Sequence, residues 1–221
     1  MCGGIVLFVS VSSAVDLNLI SLAGHYYLWK NGIHHRDISD SNLMYVRRNG
    51  KIVGKLGDFD LSTLNEEPSG TDRTGTLPFM AIGLLTRKAL QGKVVHVYGF
   101  EAEAFFWVAV IDTASYDSGR RVYPAPYAHW AQQGPEVCRA SKVDFLFLSS
   151  TEHQPTQSQL FIWSLFRPLI PLLQRCIEGL KNADHELDDN IHEEFMKIKK
   201  MGEEMWTRPM AAPMECAGKS L

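Results

Sequence analysis

What this chain of 221 residues lacks is informative. Its four cysteines, Cys2, Cys138, Cys176 and Cys216, are scattered, with no C-x-x-C pair. That excludes a disulfide framework and a cysteine zinc site, and fits a reducing intracellular compartment, cytoplasm or nucleus. Eight histidines include no H-E-x-x-H, and His34 and His35 are adjacent, so they cannot easily serve one metal together. No apolar run approaches the ~20 residues of a membrane helix. The apolar stretch 5–11, Ile-Val-Leu-Phe-Val-Ser-Val, is short and follows no basic region, so it reads as a buried strand or helix start rather than a signal peptide. A net charge of −3 gives no basic footprint for nucleic acid or an anionic membrane as partner. No internal repeat is visible. With 45% hydrophobic and 21% charged residues, the composition is that of an ordinary soluble globular chain, long enough for one full core.

What is present is a run of three motifs. His34-His35-Arg36-Asp37-Ile38-Ser39-Asp40-Ser41-Asn42 contains H-R-D-x-x-x-x-N. Asp58-Phe59-Asp60 follows, a D-F-G with its last residue changed, and then Arg73-Thr74-Gly75-Thr76-Leu77-Pro78-Phe79-Met80. The first two are parts of phosphotransfer sites, where an Asp takes a hydroxyl proton and an Asn and a second Asp hold magnesium. Each alone is a weak signal; the order and spacing of the three together make a strong one. Between them, Asn49-Gly50 separates two strand-like runs, and such a dipeptide favours the positive φ angles of a hairpin turn. With that turn, Arg48 pairs with Lys51, and counting back sets Asn42 opposite Gly57. Asn42 and Asp58 then share the open end of the hairpin, as two oxygen ligands of one magnesium–phosphate cluster should.

The rest of the chain is mostly helical in pattern. Residues 16–31 carry a broad apolar face and stop at Asn31-Gly32. Residues 61–74 are polar and turn-rich, a mobile loop. Residues 99–112 are apolar nearly all round, which predicts a fully buried helix with Phe105, Phe106 and Trp107 as core. Residues 113–141 read as loop-rich. Residues 157–181 form one or two helices broken or kinked at Pro168 and Pro171. Residues 184–206 form an amphipathic helix with a Glu193–Lys197 pair, and 207–221 a disordered tail.

The three motifs, with Glu103-Ala104-Phe105-Phe106-Trp107 further on, resemble the fungal-type protein kinase family, whose members carry D-F-D and R-T-G-T-x-P-F-M-A. The likeness spans about residues 20–200 and is dense from 32 to 112. It implies a mainly α fold with a small β-hairpin, a protein-kinase-like C-terminal lobe occupying residues 1–206. It further implies Asp37 as general base, Asn42 and Asp58 as magnesium and ATP-phosphate ligands, and Thr76 beside the substrate hydroxyl. Arg36 would receive a phosphate on the activation loop, with Ser69, Thr71 and Thr74 as candidate sites. The implied partners are ATP and a protein substrate, of the Ser/Thr more than the Tyr kind.

The chain departs from the family at three places, and together with the family it departs from Ser/Thr kinases at a fourth. Ser39 stands where Ser/Thr kinases carry Lys, a contact the family also lacks. Gly83 stands where the family has a Glu, which predicts loss of an ion pair anchoring the activation segment. Glu101 stands where an Asp ties down the catalytic-loop backbone, one methylene longer. Only 34 residues precede His35, with no G-x-G-x-x-G and no V-A-I-K lysine among them, so the ATP-covering N-terminal lobe is expected to be absent and the chain a truncated lobe of low intrinsic activity. A non-catalytic pseudokinase or partner-binding module is the competing reading. A small-molecule phosphotransferase is a third, less suited to Arg36 and to the long segment 58–83.

Overall fold

Thirteen successive residues of one helix govern the architecture. Among Tyr98–Val110 only Gly99 is not buried, and Phe105, Phe106, Trp107, Val108, Ala109 and Val110 are wholly inaccessible. A helix apolar on every side must be enclosed on every side. In the computed structural model, which describes residues 25–48, 51–63, 75–179, 190–197 and 200, the chain is wound around it. This helix, α3, runs Tyr98–Ser115. Its core neighbours include Phe145, Leu146, Trp163, Phe166, Leu172, Ile191 and Phe195, drawn from segments up to a hundred residues downstream.

Ahead of it, the described part of helix α1 (residues 25–30) ends at Gly32, whose φ of 75° is the left-handed stop expected of Asn31-Gly32. Strands β1 (Leu43–Arg48) and β2 (Lys51–Leu56) pair antiparallel with Arg48 opposite Lys51 and Leu43 opposite Leu56. That is the register counted from Asn49-Gly50; the two turn residues lie outside the described residues. The Gly57 amide donates to the Asn42 carbonyl at 2.9 Å, carrying the ladder one step further. Below it, His34 and Thr63 exchange both backbone hydrogen bonds at 3.1 Å, so the loop and hairpin return to one point.

After Gly75 come a 3-10 turn at Ile82–Leu85 and the short helix α2 (Arg87–Leu90). Beyond α3, the loop-rich expectation for 113–141 is corrected. Strands β3 (Tyr116–Asp117) and β4 (Arg120–Arg121) form a second small sheet, turning at Ser118 and Gly119, both at positive φ. Helix α4 (His129–Gln132) and helix α5 (Pro135–Asp144) follow. Gly134 counted toward a loop, but it precedes Pro135 at the first helical position, where a missing N–H costs nothing.

Helices α6 (Leu160–Phe166) and α7 (Ile170–Gly179) are separated by a 3-10 turn at Arg167–Leu169, as Pro168 and Pro171 require. The described part of helix α8, residues 190–197, buries Ile191 and Phe195 on the core. Its ion pair joins Lys197 to Glu194 at 2.6 Å rather than to Glu193, a spacing of three that also faces along a helix. The calls on residues 5–11 and on the 207–221 tail lie outside the described residues. Among the described residues no helix is long and apolar enough to cross a membrane.

Candidate active site

The site is built on a buried carboxylate. Glu101, in the first turn of α3 and 2% exposed, accepts the His35 amide on Oε2 at 3.1 Å and the Arg36 amide on Oε1 at 2.9 Å. His96 Nε2 meets Oε1 at 2.9 Å, and His25 Nε2 makes a close contact with Oε2. The extra methylene relative to Asp therefore does not break the tie to the catalytic loop. Burial alone would raise the Glu101 pKa, but the charge and hydrogen bonds of His25 and His96 outweigh it and hold the carboxyl well below its usual range. An ionised group so placed fixes two consecutive backbone amides. Between them Arg36 takes φ 69°, which turns the chain and presents Asp37 outward.

His35 is 1% exposed. Its Nε2 donates to the Gly57 carbonyl at 2.8 Å while its Nδ1 accepts the Asp37 amide at 3.3 Å, so one neutral tautomer serves both. Burial lowers its pKa, against the pull of the Gly57 carbonyl, and keeps that neutral form at physiological pH. Its ring meets Phe59 edge-on at 4.6 Å. This histidine packs and hydrogen-bonds.

The Asp37 carboxylate is held from two sides. Oδ1 accepts both the Thr76 amide at 2.8 Å and the Thr76 hydroxyl at 2.9 Å. Asn42 Nδ2 donates to the Asp37 carbonyl at 2.8 Å and lies 3.4 Å from Oδ2. The amide nitrogen of Asn42 is thus spent on the loop, and its oxygen faces the other way. Asp58 follows the hairpin at φ 58°, exposed, with Oδ1 3.5 Å from the Asp60 amide. Asn42 and Asp58 flank the Gly57–Asn42 hydrogen bond, one on each strand end.

Residues 19–111 match the family model described as Fungal protein kinase. That stretch of the chain is similar to the fungal protein kinase family.

The matched segment contains Asp37, Asn42, Asp58, Thr76 and Glu101. Asp37, Asn42 and Thr76 are joined by direct hydrogen bonds, and Asp58 stands one residue beyond the pair Asn42–Gly57. Ser69, Thr71 and Thr74 lie outside the described residues. The hard-oxygen donor set of Asn42 and Asp58 fits magnesium, which takes few protein oxygens and completes its shell with phosphates and water. Among the described residues no group of three or more His, Cys, Asp and Glu side chains could hold a metal by itself.

Several site-building residues were not singled out from sequence. His25 and His96 gave no signal, being isolated histidines in apolar or mixed surroundings. Glu103 was read only as part of E-A-F-F-W, yet its Oε1 accepts the Ile82 amide and the Trp107 indole N–H, both at 2.8 Å. Lys142 was not considered at all, and it is wholly buried with Nζ on the Met80 carbonyl at 2.6 Å.

Proposed function

We propose that this chain carries the catalytic lobe of a protein kinase that moves the ATP γ-phosphoryl group to a Ser or Thr hydroxyl of a protein. The supporting observation is the fixed Asp37 carboxylate. Its Oδ1 is occupied by Thr76, and among the described residues its Oδ2 has only the long Asn42 contact, which supports Oδ2 as the oxygen that would accept a substrate hydroxyl. In the transfer, the hydroxyl proton goes to Asp37 as the oxygen bonds to phosphorus and the bond to the ADP oxygen breaks. Asn42 and Asp58 would hold magnesium, which would supply charge neutralisation on the phosphates. Thr76 lines the acceptor side, and its small side chain leaves room for a hydroxyl on a short stem. In this reading Arg36, next to the base, would receive a phosphate carried by Ser69, Thr71 or Thr74, which lie outside the described residues.

The sequence ahead of His35 holds no glycine-rich loop and no strand lysine. Positioning and charge on the phosphates supply most of the catalysis in this chemistry. The second reading is a pseudokinase that serves as a binding module. Phosphate incorporation into a Ser/Thr/Tyr peptide library is the deciding assay. Asp37→Asn should lower turnover by about 10²–10⁴-fold, the worth of a general base. Transfer unaffected by that change overturns the assignment of Asp37. A chain that melts cooperatively, unshifted by magnesium and ATP and without transfer, is the binding module.

A further inference from the structure

The segment from Thr76 to Leu85 has little regular structure to hold it. A turn brings the Phe79 amide to the Thr76 carbonyl at 2.9 Å, and the Ile82–Leu85 turn follows. Gly83, buried within it, contributes no side chain. Two side chains grip the stretch between those turns. Lys142 Nζ donates to the Met80 carbonyl at 2.6 Å, and Glu103 Oε1 accepts the Ile82 amide at 2.8 Å. One comes from α5, the other from α3, so Met80-Ala81-Ile82 is held at both ends by helices that are themselves core elements.

Both gripping groups are braced. The Trp107 indole N–H, one turn along α3, donates to the same Glu103 oxygen at 2.8 Å. The Lys142 ammonium lies 4.7 Å from the Trp107 ring centroid and 5.8 Å from that of Trp130. Cys138, one turn before Lys142, points its Sγ at the Leu77 carbonyl at 3.8 Å, so one face of α5 addresses two carbonyls of the segment, those of Leu77 and Met80. Lys142 and Glu103 are 0% and 4% exposed. An apolar pair of like volume is often as stable as a buried charge pair or more so. What an apolar pair cannot do is hold one particular carbonyl and one particular amide of an irregular segment.

We propose that Lys142 and Glu103 are positioning residues that set the Thr76–Ile82 segment against the Asp37 carboxylate, replacing the anchor that Gly83 cannot supply. The role in catalysis rests on the phosphotransfer reading above; the gripping role does not. Amide hydrogen exchange on the whole chain tests it. In wild type, peptides covering 77–86 should exchange nearly as slowly as those covering 98–110. Lys142→Met, close in length and apolar, should speed exchange in 77–86 by about tenfold or more while 98–110 and the melting temperature hold or improve. A peptide substrate should then show a raised KM with a smaller change in kcat. Unchanged exchange in 77–86 of the folded variant overturns the proposal. If Lys142→Met does not fold, the wild-type Ile82 amide decides: protection with the α3 amides supports the grip, and loop-like exchange overturns it. A wild type without transfer activity removes the kinase reading and leaves the exchange result to judge the grip on its own.

Discussion

Thr76 binds one oxygen of Asp37 twice, through its backbone N–H at 2.8 Å and its hydroxyl at 2.9 Å. The double contact fixes the carboxylate plane and joins the segment after Gly75 to the loop that holds Asp37, across 39 residues. Thr76→Val keeps the shape and the N–H and removes the O–H. One hydrogen bond to a charged acceptor is worth roughly 1.5–3 kcal/mol, so kcat should drop by about 10–100-fold. Thr76→Ser should restore most of it, and steady-state kinetics on the best peptide checks the ordering wild type, Ser, Val. Equal kcat for Thr and Val would mean that the hydroxyl does not steady Asp37.

Glu101 predicts an acid limb. Its pKa is depressed in the folded chain from a usual 4.5, so the stability it contributes is present above that value and is lost as pH falls through the lower, folded one. Glu101→Gln keeps the size but turns one acceptor into a donor facing backbone N–H or imidazole groups. The change should cost about 3–5 kcal/mol at neutral pH, the usual loss on breaking a buried charge pair. Urea unfolding measured from pH 7 down to pH 3 should show the two proteins converging below the usual carboxyl range. A constant gap across that range would contradict the linkage.

The contrast between Glu101 and Lys142 shows where sequence stops being readable. Asp37, Asn42, Asp58 and Thr76 stand out in the sequence because they fall within three motifs in a fixed order and spacing. The hairpin register was legible because Asn49-Gly50 leaves little choice of turn, and α3 because eighteen residues almost wholly apolar can only be core. The support beneath the loop was not legible. His25 and Lys142 act from 76 and 62 residues away from the groups they bond, and no local pattern marks a side chain whose partner is that distant. The region 113–141 was misjudged for a related reason. Its Gly and Pro residues were counted as breakers, whereas Pro135 opens a helix and Ser118-Gly119 closes a sheet.

Asp112 carries the opposite pH signature. Burial, with the nearby charge of Asp40 adding and that of Arg121 opposing, pushes its pKa from a usual 3.8 up to about 7. Its Oδ1 is buried without a hydrogen-bond partner among the described residues. A raised carboxyl pKa gives stability that is full below the unfolded value and is lost as pH rises through about 7. Asp112→Asn should therefore melt several degrees above wild type at pH 8 and lose that advantage near pH 4. Thermal melts across that range check it. An advantage independent of pH would point to packing in place of charge.

Two glycines of the site separate strain from space. Gly75, just before Thr76, has φ +125°, and a Cβ there would stand 3.2 Å from both the Arg36 carbonyl oxygen and Met80 Cγ. That conformation costs an L-residue roughly 1–3 kcal/mol, and the neighbouring carbonyl belongs to the loop that Glu101 pins, so it cannot retreat. Gly75→Ala should lower both the melting temperature and kcat, because relief of the strain moves Thr76 off Asp37. Gly57 looks worse on distance alone, since a Cβ would fall 2.1 Å from Met44 Cε. Yet its φ is not positive, and the obstructing atom is the tip of a flexible side chain that is 40% exposed. Met44 can swing outward, and an alanine limits the unfolded chain, so Gly57→Ala should be neutral or stabilising by up to about 1 kcal/mol. Melting curves and kcat for the two variants, measured side by side, decide whether backbone angle or crowding governs this end of the hairpin. A harmful Gly57→Ala with a harmless Gly75→Ala would reverse that order and place the constraint on Met44.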